Sequence, residues 1–388
     1  MISVDKSKAL APKKTVIPSM DLPLFAQYAP DIKKIKVLAR KFSKKKNIVV
    51  IGNGGSITSF SYYAQALGTK KKWYIISTME PDALEDVRKK CIKKDTVIIA
   101  VSKSGTTVGV IEALMYFIDY QDVIVITENK KSTLKIIQER SGFLFMEHPP
   151  VGGRYSGFTP SGLLPAAIAG IDIEGIWNGA HKAYSKYSPK RKQNDAFDLA
   201  HVLYVLDKKG FTEIFIPIYS SRLMGSAGII TQLIHESVGK NKKGQTVLTA
   251  FAPESQHHTN QRYFGGRKNM LGCFVVVDEF DKKYQTVKIP KKLQDIPLRS
   301  ETIADLHDNF YSKALHAEFI GTREDSIQKK IPHVVIHVGK ITPESVGAFL
   351  AFWHYVTVYL CVLTDVNPFD QPQVESSKEI SFQLRLKK

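Results

Sequence analysis

The sequence predicts an α/β fold in which two doubly wound parallel sheets are followed by a C-terminal helical segment. Three observations predict it. Short β-branched runs, such as Ile48–Ile51, Thr96–Val101 and Val123–Ile126, are apolar throughout rather than alternating. That is the pattern of strands covered on both faces. Stretches of helical periodicity separate them. The alternation then stops in a polar stretch, 178–194, and starts again.

Taken in order, Ile48–Ile51 ends in Gly52 and leads into a helix over Ile57–Leu67. A strand at Trp73–Ile76, a helix over Pro81–Cys91 and the run Thr96–Val101 follow. A helix over Val108–Phe117 leads to Val123–Ile126. After the polar stretch, Phe211–Ile218 reads as a strand and Ser226–Ser237 as a helix. Cys273–Val277 and Val334–Val338 read as further strands. From Thr342 a long apolar helix, a Pro-rich turn and a final helix close the chain. The predicted organisation is an N-terminal segment (1–30), a first α/β domain (31–185), a second (195–341) and a C-terminal helical segment (342–388).

Composition narrows the function. The chain has 388 residues, 43% of them hydrophobic, enough for a substantial core. Its three cysteines, Cys91, Cys273 and Cys361, are far apart and lack metal-ligand spacing. They predict neither a disulfide framework nor a zinc site. The first 20 residues lack the apolar centre of a signal peptide. The longest apolar stretch, Phe349–Leu363, is interrupted by His354 and Thr357, short of the roughly 20 residues that cross a bilayer. A cytoplasmic protein with no membrane partner is expected. Lys and Arg exceed Asp and Glu by 18. The lysines fall in scattered short clusters without interleaved aromatics, so no nucleic-acid partner is expected. A positive field of this kind steers anionic substrates.

Two loops carry the first chemical signal. Gly52–Ser56 (GNGGS) follows a buried-type strand and opens a helix. Its glycines let backbone approach a ligand, and the helix start offers free N–H groups. Ser102–Thr107 (SKSGTT) does the same with four hydroxyls in six residues, more than a helix cap requires. Neither loop is a Walker loop or a dinucleotide fingerprint. A small phosphorylated ligand is expected, with no nucleotide cofactor.

SKSGTT after a strand, with GNGGS upstream, resembles the sugar-isomerase (SIS) domain, which serves isomerases, amidotransferases and non-catalytic regulators. Four further segments resemble the phosphoglucose isomerase family: Val151–Ser156 (VGGRYS), Gln232–Lys240 (QLIHESVGK), Gln256–Gln261 (QHHTNQ) and Asn367–Lys378 (NPFDQPQVESSK). They occur in the family's order, and the resemblance spans roughly residues 48–380. It implies two SIS domains, no metal and no cofactor. The reaction implied interconverts glucose 6-phosphate and fructose 6-phosphate, in glycolysis and gluconeogenesis. Mannose 6-phosphate as a further substrate, or a non-catalytic sugar-phosphate sensor, are the alternatives. A sensor would not need Glu236, Arg154, His257 and Lys378 together.

The chemistry explains the residue types. Moving a proton between C2 and C1 needs a carboxylate whose pKa is tuned above about 4.3. The resemblance makes this Glu236, with Gln232 one helical turn earlier on the same face. Arg154, after two glycines, is the implied partner of the enediolate. His257 and Lys378 are implied for ring opening, with His257 preferred over His258 by its spacing from Gln261. Ser56, Ser102, Ser104 and Thr107 are implied to hold the phosphate. Gly55, Gln232 and Gln371 are implied to position the substrate, and Lys103 ranks below the hydroxyls. A homodimer is implied, its catalytic His crossing into the other subunit's site, with the apolar helix near Ala348–Leu363 as surface to bury. Two departures stand out. Gly109 occupies a position where relatives carry Glu, and Gln373 replaces the usual Gly of DQPGVE, so a differently shaped turn is expected there.

Overall fold

The computed structural model describes residues 2–6, 17 and 19–387. Within the predicted N-terminal segment (1–30), residues 1, 7–16 and 18 lie outside the described residues. Residues 2–6 form β1 (Ile2–Lys6), and two helices, α1 (Leu24–Gln27) and α2 (Ile32–Arg40), precede the first sheet. Asp31 caps α2 by accepting from the Lys34 amide at 2.8 Å.

The first sheet alternates strand and helix: β2 (Asn47–Ile51), α3 (Gly55–Leu67), β3 (Lys72–Ile76), α4 (Pro81–Lys90), β4 (Thr96–Val101), α5 (Val108–Tyr116), β5 (Val123–Thr127), α6 (Thr133–Ser141) and β6 (Leu144–Glu147). The spatial order is β3-β2-β4-β5-β6, all parallel. β2, β4 and β5 are buried along their whole length, which is why they read as unbroken apolar runs. The order reverses between β2 and β4. The loops after these two strands, GNGGS and SKSGTT, therefore flank the crevice where doubly wound sheets bind ligands.

Three helices connect the halves: α7 (Pro160–Ile168), α8 (Ile173–Lys186) and α9 (Asp195–Lys208). The polar stretch 178–194 is thus half helix. Ile176, Ala180, Ala183 and Tyr184 recur at helical spacing and are buried, while lysines cover the outer face. Only 187–194 is a connector.

The second sheet contains β7 (Glu213–Ile218), β8 (Thr246–Phe251) and β9 (Met270–Val276), with α10 (Ser226–Val238) and α11 (Thr259–Gly265) between them. A long excursion carries a small hairpin, β10 (Pro297–Leu298) and β11 (Glu301–Thr302), before α12 (Tyr311–Gln328) and β12 (His333–Val338). The sheet order is β1-β12-β9-β7-β8, parallel except for β1. β1 and β8 are edge strands that mix buried and exposed positions, a weaker sequence signal than an unbroken apolar run.

α13 (Pro343–Thr364) opens on a capping box of Thr342 and Ser345 and runs 22 residues. It is long and apolar enough to cross a membrane, yet it is buried inside the chain, mainly against α8 and α9. Its apolar side chains are thus spent on the chain's own core, and it does not offer the surface to a second subunit that the sequence suggested. α14 (Glu375–Leu386) ends the chain with no buried residue.

Candidate active site

Glu236 stands on the last turn of α10, one turn from Gln232. The Gln232 amide donates to its Oε1 at 3.1 Å. Arg154 reaches the other oxygen, with Nη1 2.9 Å from Oε2. The same Nη1 donates to Gln371 Oε1 at 2.7 Å. Nη2 donates to the carbonyls of Pro368 at 2.9 Å and Asp370 at 2.8 Å. The guanidinium is thus clamped between the α10 carboxylate and the Asn367–Gln371 turn, leaving Nε–H buried without a partner among the described residues. Exposure divides the pair: the Arg154 side chain is 4% exposed and that of Glu236 34%. The cation is a fixed wall and the carboxylate faces solvent.

Glycines bring the first loop onto this wall. A Cβ at Gly55 would lie 2.1 Å from the Gly153 carbonyl oxygen, so the start of α3 rests directly on the turn that presents Arg154. Gly54 takes φ +55°, and a Cβ there would meet Gln232 Nε2 at 2.7 Å. Both contacts require glycine. Thr58 reaches the other end of the Gln232 amide, 3.5 Å from Oε1. GNGGS, GGR and the end of α10 therefore form one unit across the two sheets.

In the second loop the Ser102 and Thr107 hydroxyls lie 2.8 Å apart, and Ser102 Oγ accepts from the Gly105 amide at 3.2 Å. Ser104 Oγ accepts from the Thr106 amide and hydroxyl at 3.3 and 3.0 Å. Gly105, at φ +69°, leaves room for the Ser132 hydroxyl, which a Cβ would approach to 2.1 Å. Ser56 sits in the first turn of α3, and α5 begins directly after Thr107. Two helix starts and a set of hydroxyls thus frame one end of the crevice. Lys103 turns elsewhere, 3.8 Å from Glu128 and 3.4 Å from the Pro150 carbonyl.

Two expected residues do not join this cluster. His257, in a single 3-10 turn (254–257), is exposed and makes no hydrogen bond to a described residue. His258 has both ring nitrogens engaged, 2.6 Å from Glu254 Oε2 and 2.6 Å from Thr259 Oγ1. Lys378 is exposed on α14 and paired with Glu375 at 2.7 Å. The Arg385 guanidinium fastens that helix to Glu112 of α5 at 2.9 Å. Of the two departures, Gly109 lies against Met79, whose sulfur a Cβ would meet at 2.9 Å, so this packing opposes a Glu there. Gln373 lies in a short 3-10 turn and not at positive φ, so the turn does not need glycine.

Lys240 was not singled out, though it lies within the quoted QLIHESVGK segment. It is 6% exposed, and its ammonium donates to Asp370 Oδ1 at 2.6 Å, to the Asp370 carbonyl at 3.0 Å and to the Asn367 carbonyl. It holds the Asp370 carboxyl below the usual carboxylate range. Arg154 and Lys240 thus grip the Asn367–Gln371 turn from two sides. Behind Arg154, Tyr155 stacks on Phe25 and edges His354, whose Nδ1 lies 2.7 Å from the Tyr184 hydroxyl. Burial lowers the His354 pKa to about 3, so this ring is a neutral core residue. A spacing of i and i+4 on α10 signals Gln232, whereas a lysine after a helix end looks like any dipole-matching cation.

A sequence profile described as phosphoglucose isomerase matches residues 25–267. The glucose-6-phosphate isomerase of Fusobacterium nucleatum is 28% identical over 395 residues, covering 95% of this chain and 86% of that protein. That of Acholeplasma laidlawii is 29% identical over 388 residues, covering 95% and 90%. Among solved structures, a hypothetical protein from Thermus thermophilus superposes with a TM-score of 0.82 at 25% identity, covering 91% of this chain and 87% of that one. A glucose-6-phosphate isomerase from Chlamydia trachomatis shares the fold, with a TM-score of 0.74 at 20% identity over 91% and 73%.

Proposed function

The chain belongs to the phosphoglucose isomerase family, and from that premise we propose that it interconverts glucose 6-phosphate and fructose 6-phosphate in the cytoplasm, serving glycolysis and gluconeogenesis. The observation that carries this reading is the half-open Glu236 carboxylate held between the buried Arg154 and Gln232. The phosphate sits at the two helix starts, held by Ser56, Ser102, Ser104 and Thr107. The sugar then extends toward α10.

Glu236 takes the proton from C2 of the open-chain aldose and returns it to C1. Charge balance supports the assignment. In the resting site Arg154 neutralises Glu236. When the carboxylate accepts the proton it loses its charge, and the negative charge passes to the enediolate oxygen. The Nη1–H that held the charged carboxylate is then released to donate to that oxygen. Gln232 and Gln371 orient carboxylate and guanidinium respectively. Lys378 assists ring opening.

His257 completes ring opening from a second subunit, in a homodimer with shared sites. Its exposure and its lack of a side-chain partner among the described residues support this. The test is a coupled assay with purified protein on both hexose phosphates. Turnover of glucose 6-phosphate to fructose 6-phosphate is expected, and binding without turnover would reassign the chain as a sensor.

A further inference from the structure

At the opposite pole of the first sheet, a cleft of about 870 Å³ opens beneath the amino ends of β2, β3 and β4, between α2 and the end of α7. Eight lysine and arginine side chains line it against two acids, Asp95 and Asp172. The local excess of six is a third of the chain's whole excess of 18. Four of the cations are matched: Lys36 by Glu174, Lys46 by Asp95, Lys45 by Asp122 and Lys90 by Asp86. Asp172 is occupied as the cap of α8, accepting from the amides of Glu174 and Gly175 at 3.1 Å. Arg40, Lys70, Lys71 and Lys72 make no ion pair among the described residues. Lys71 is held by the backbone carbonyls of Phe42 and Ser43, a partly buried ammonium without a carboxylate.

Lysines commonly guard a sheet edge, and β3 is an edge strand. That role accounts for Lys72. It does not account for Arg40 on α2 or for Lys70 and Lys71, which precede the strand and converge on the same cleft. Like charges gathered in a concavity repel one another and focus a positive potential there.

We propose that this cleft binds a compact oligophosphate anion. Its volume suits a molecule of nucleotide size. Four unmatched cations exceed the charge of one phosphate dianion. The floor is aliphatic, formed by Ala39, Ile92, Ala167 and Ile171, and no aromatic side chain lines it. It therefore lacks the stacking platform on which single-stranded nucleic acid rests. Lysines, as mobile point charges, fit a flexible phosphate chain. The cleft is separate from the catalytic phosphate loops: Lys46 and Gly52 are six residues apart along β2, roughly 20 Å at about 3.3 Å per residue.

The test is calorimetric titration of the full-length protein with tripolyphosphate at about 50 mM salt. It is repeated on the charge reversals K70E/K72E and, as a matched control, K291E/K292E. The expected result is saturable binding that weakens at least about ten-fold in K70E/K72E and less than about two-fold in K291E/K292E, with log affinity falling linearly in log salt. ATP tighter than tripolyphosphate would make a nucleotide the source, and equal affinity would make it the phosphate chain alone. Absence of saturable binding, or equal weakening in both variants, would overturn the proposal. So would a DNA duplex that binds the same K70E/K72E-sensitive site more tightly than tripolyphosphate.

Discussion

Replacing Lys240 by Met keeps the chain length and removes three N–H donors from a buried position. Those donors now serve the Asp370 carboxylate and the carbonyls of Asp370 and Asn367. Hydrogen bonds to a charged group contribute about 1.5–3 kcal/mol each. The Asp370 side chain is 49% exposed and rehydrates, which removes most of its share. The two carbonyls and the lost anchoring leave a net destabilisation of about 2 kcal/mol. The effect on turnover should be larger than that figure suggests. The turn carries Gln371, which Arg154 grips at 2.7 Å. A displacement of about 1 Å there costs up to about 10²-fold. Urea unfolding and the coupled assay measure the two effects. The expected outcome is a drop in kcat/KM of about ten- to one-hundred-fold in a folded protein, with partial recovery in K240R. A K240M enzyme within two-fold of wild type would refute the idea that Lys240 holds the substrate-facing turn.

Burial lowers the pKa of His354 to about 3, and it also lowers those of His148, His235 and His333. The unfolded chain therefore takes up protons below about pH 6.5 that the folded chain refuses. Stability is full above that value and should fall on acidification, with His354 contributing at most about 1.4 kcal/mol per pH unit down to about pH 3. Urea midpoints at several pH values should show H354Q with a shallower acid slope than wild type, and an unchanged slope would contradict a neutral buried ring. Co-expressed Glu236→Gln and His257→Ala subunits, each inactive alone, should regain about half of wild-type activity as verified heterodimers, since one of two shared sites is complete. Heterodimers that stay inactive would exclude a shared site.

The parts of the fold most legible in the sequence were those whose physics is local. β4 reads as Thr96–Val101 in both because all six residues are buried. α5 and α10 begin at Val108 and Ser226 as their loop boundaries suggested. Strands with one wet face were harder. β8 has only Val247 and Ala250 buried and was missed, as was β1, which pairs antiparallel with β12 across more than 300 residues of chain. α8 was not read as a helix because its outer face is polar, though its inner face carries the contact with α13. In the site, the Gln232–Glu236 pairing follows from helix geometry and was foreseen. The grip of Lys240 and Arg154 on the Asn367–Gln371 turn was not, because it joins three segments that only the fold brings together.

The central claim is that Glu236 moves the proton between C2 and C1. It is tested most directly by Glu236→Gln, followed by transfer of solvent deuterium into the sugar. The amide oxygen keeps the bond from Arg154, and its NH2 donates to Gln232 once that amide turns its oxygen inward, but the side chain cannot accept the C2 proton. The account predicts that E236Q binds fructose 6-phosphate nearly as well as wild type. Isomerisation and solvent exchange at the reacting carbons should fall together, by at least about 10²- to 10⁴-fold. An E236Q enzyme that still exchanges that proton with solvent at a rate near wild type would contradict it.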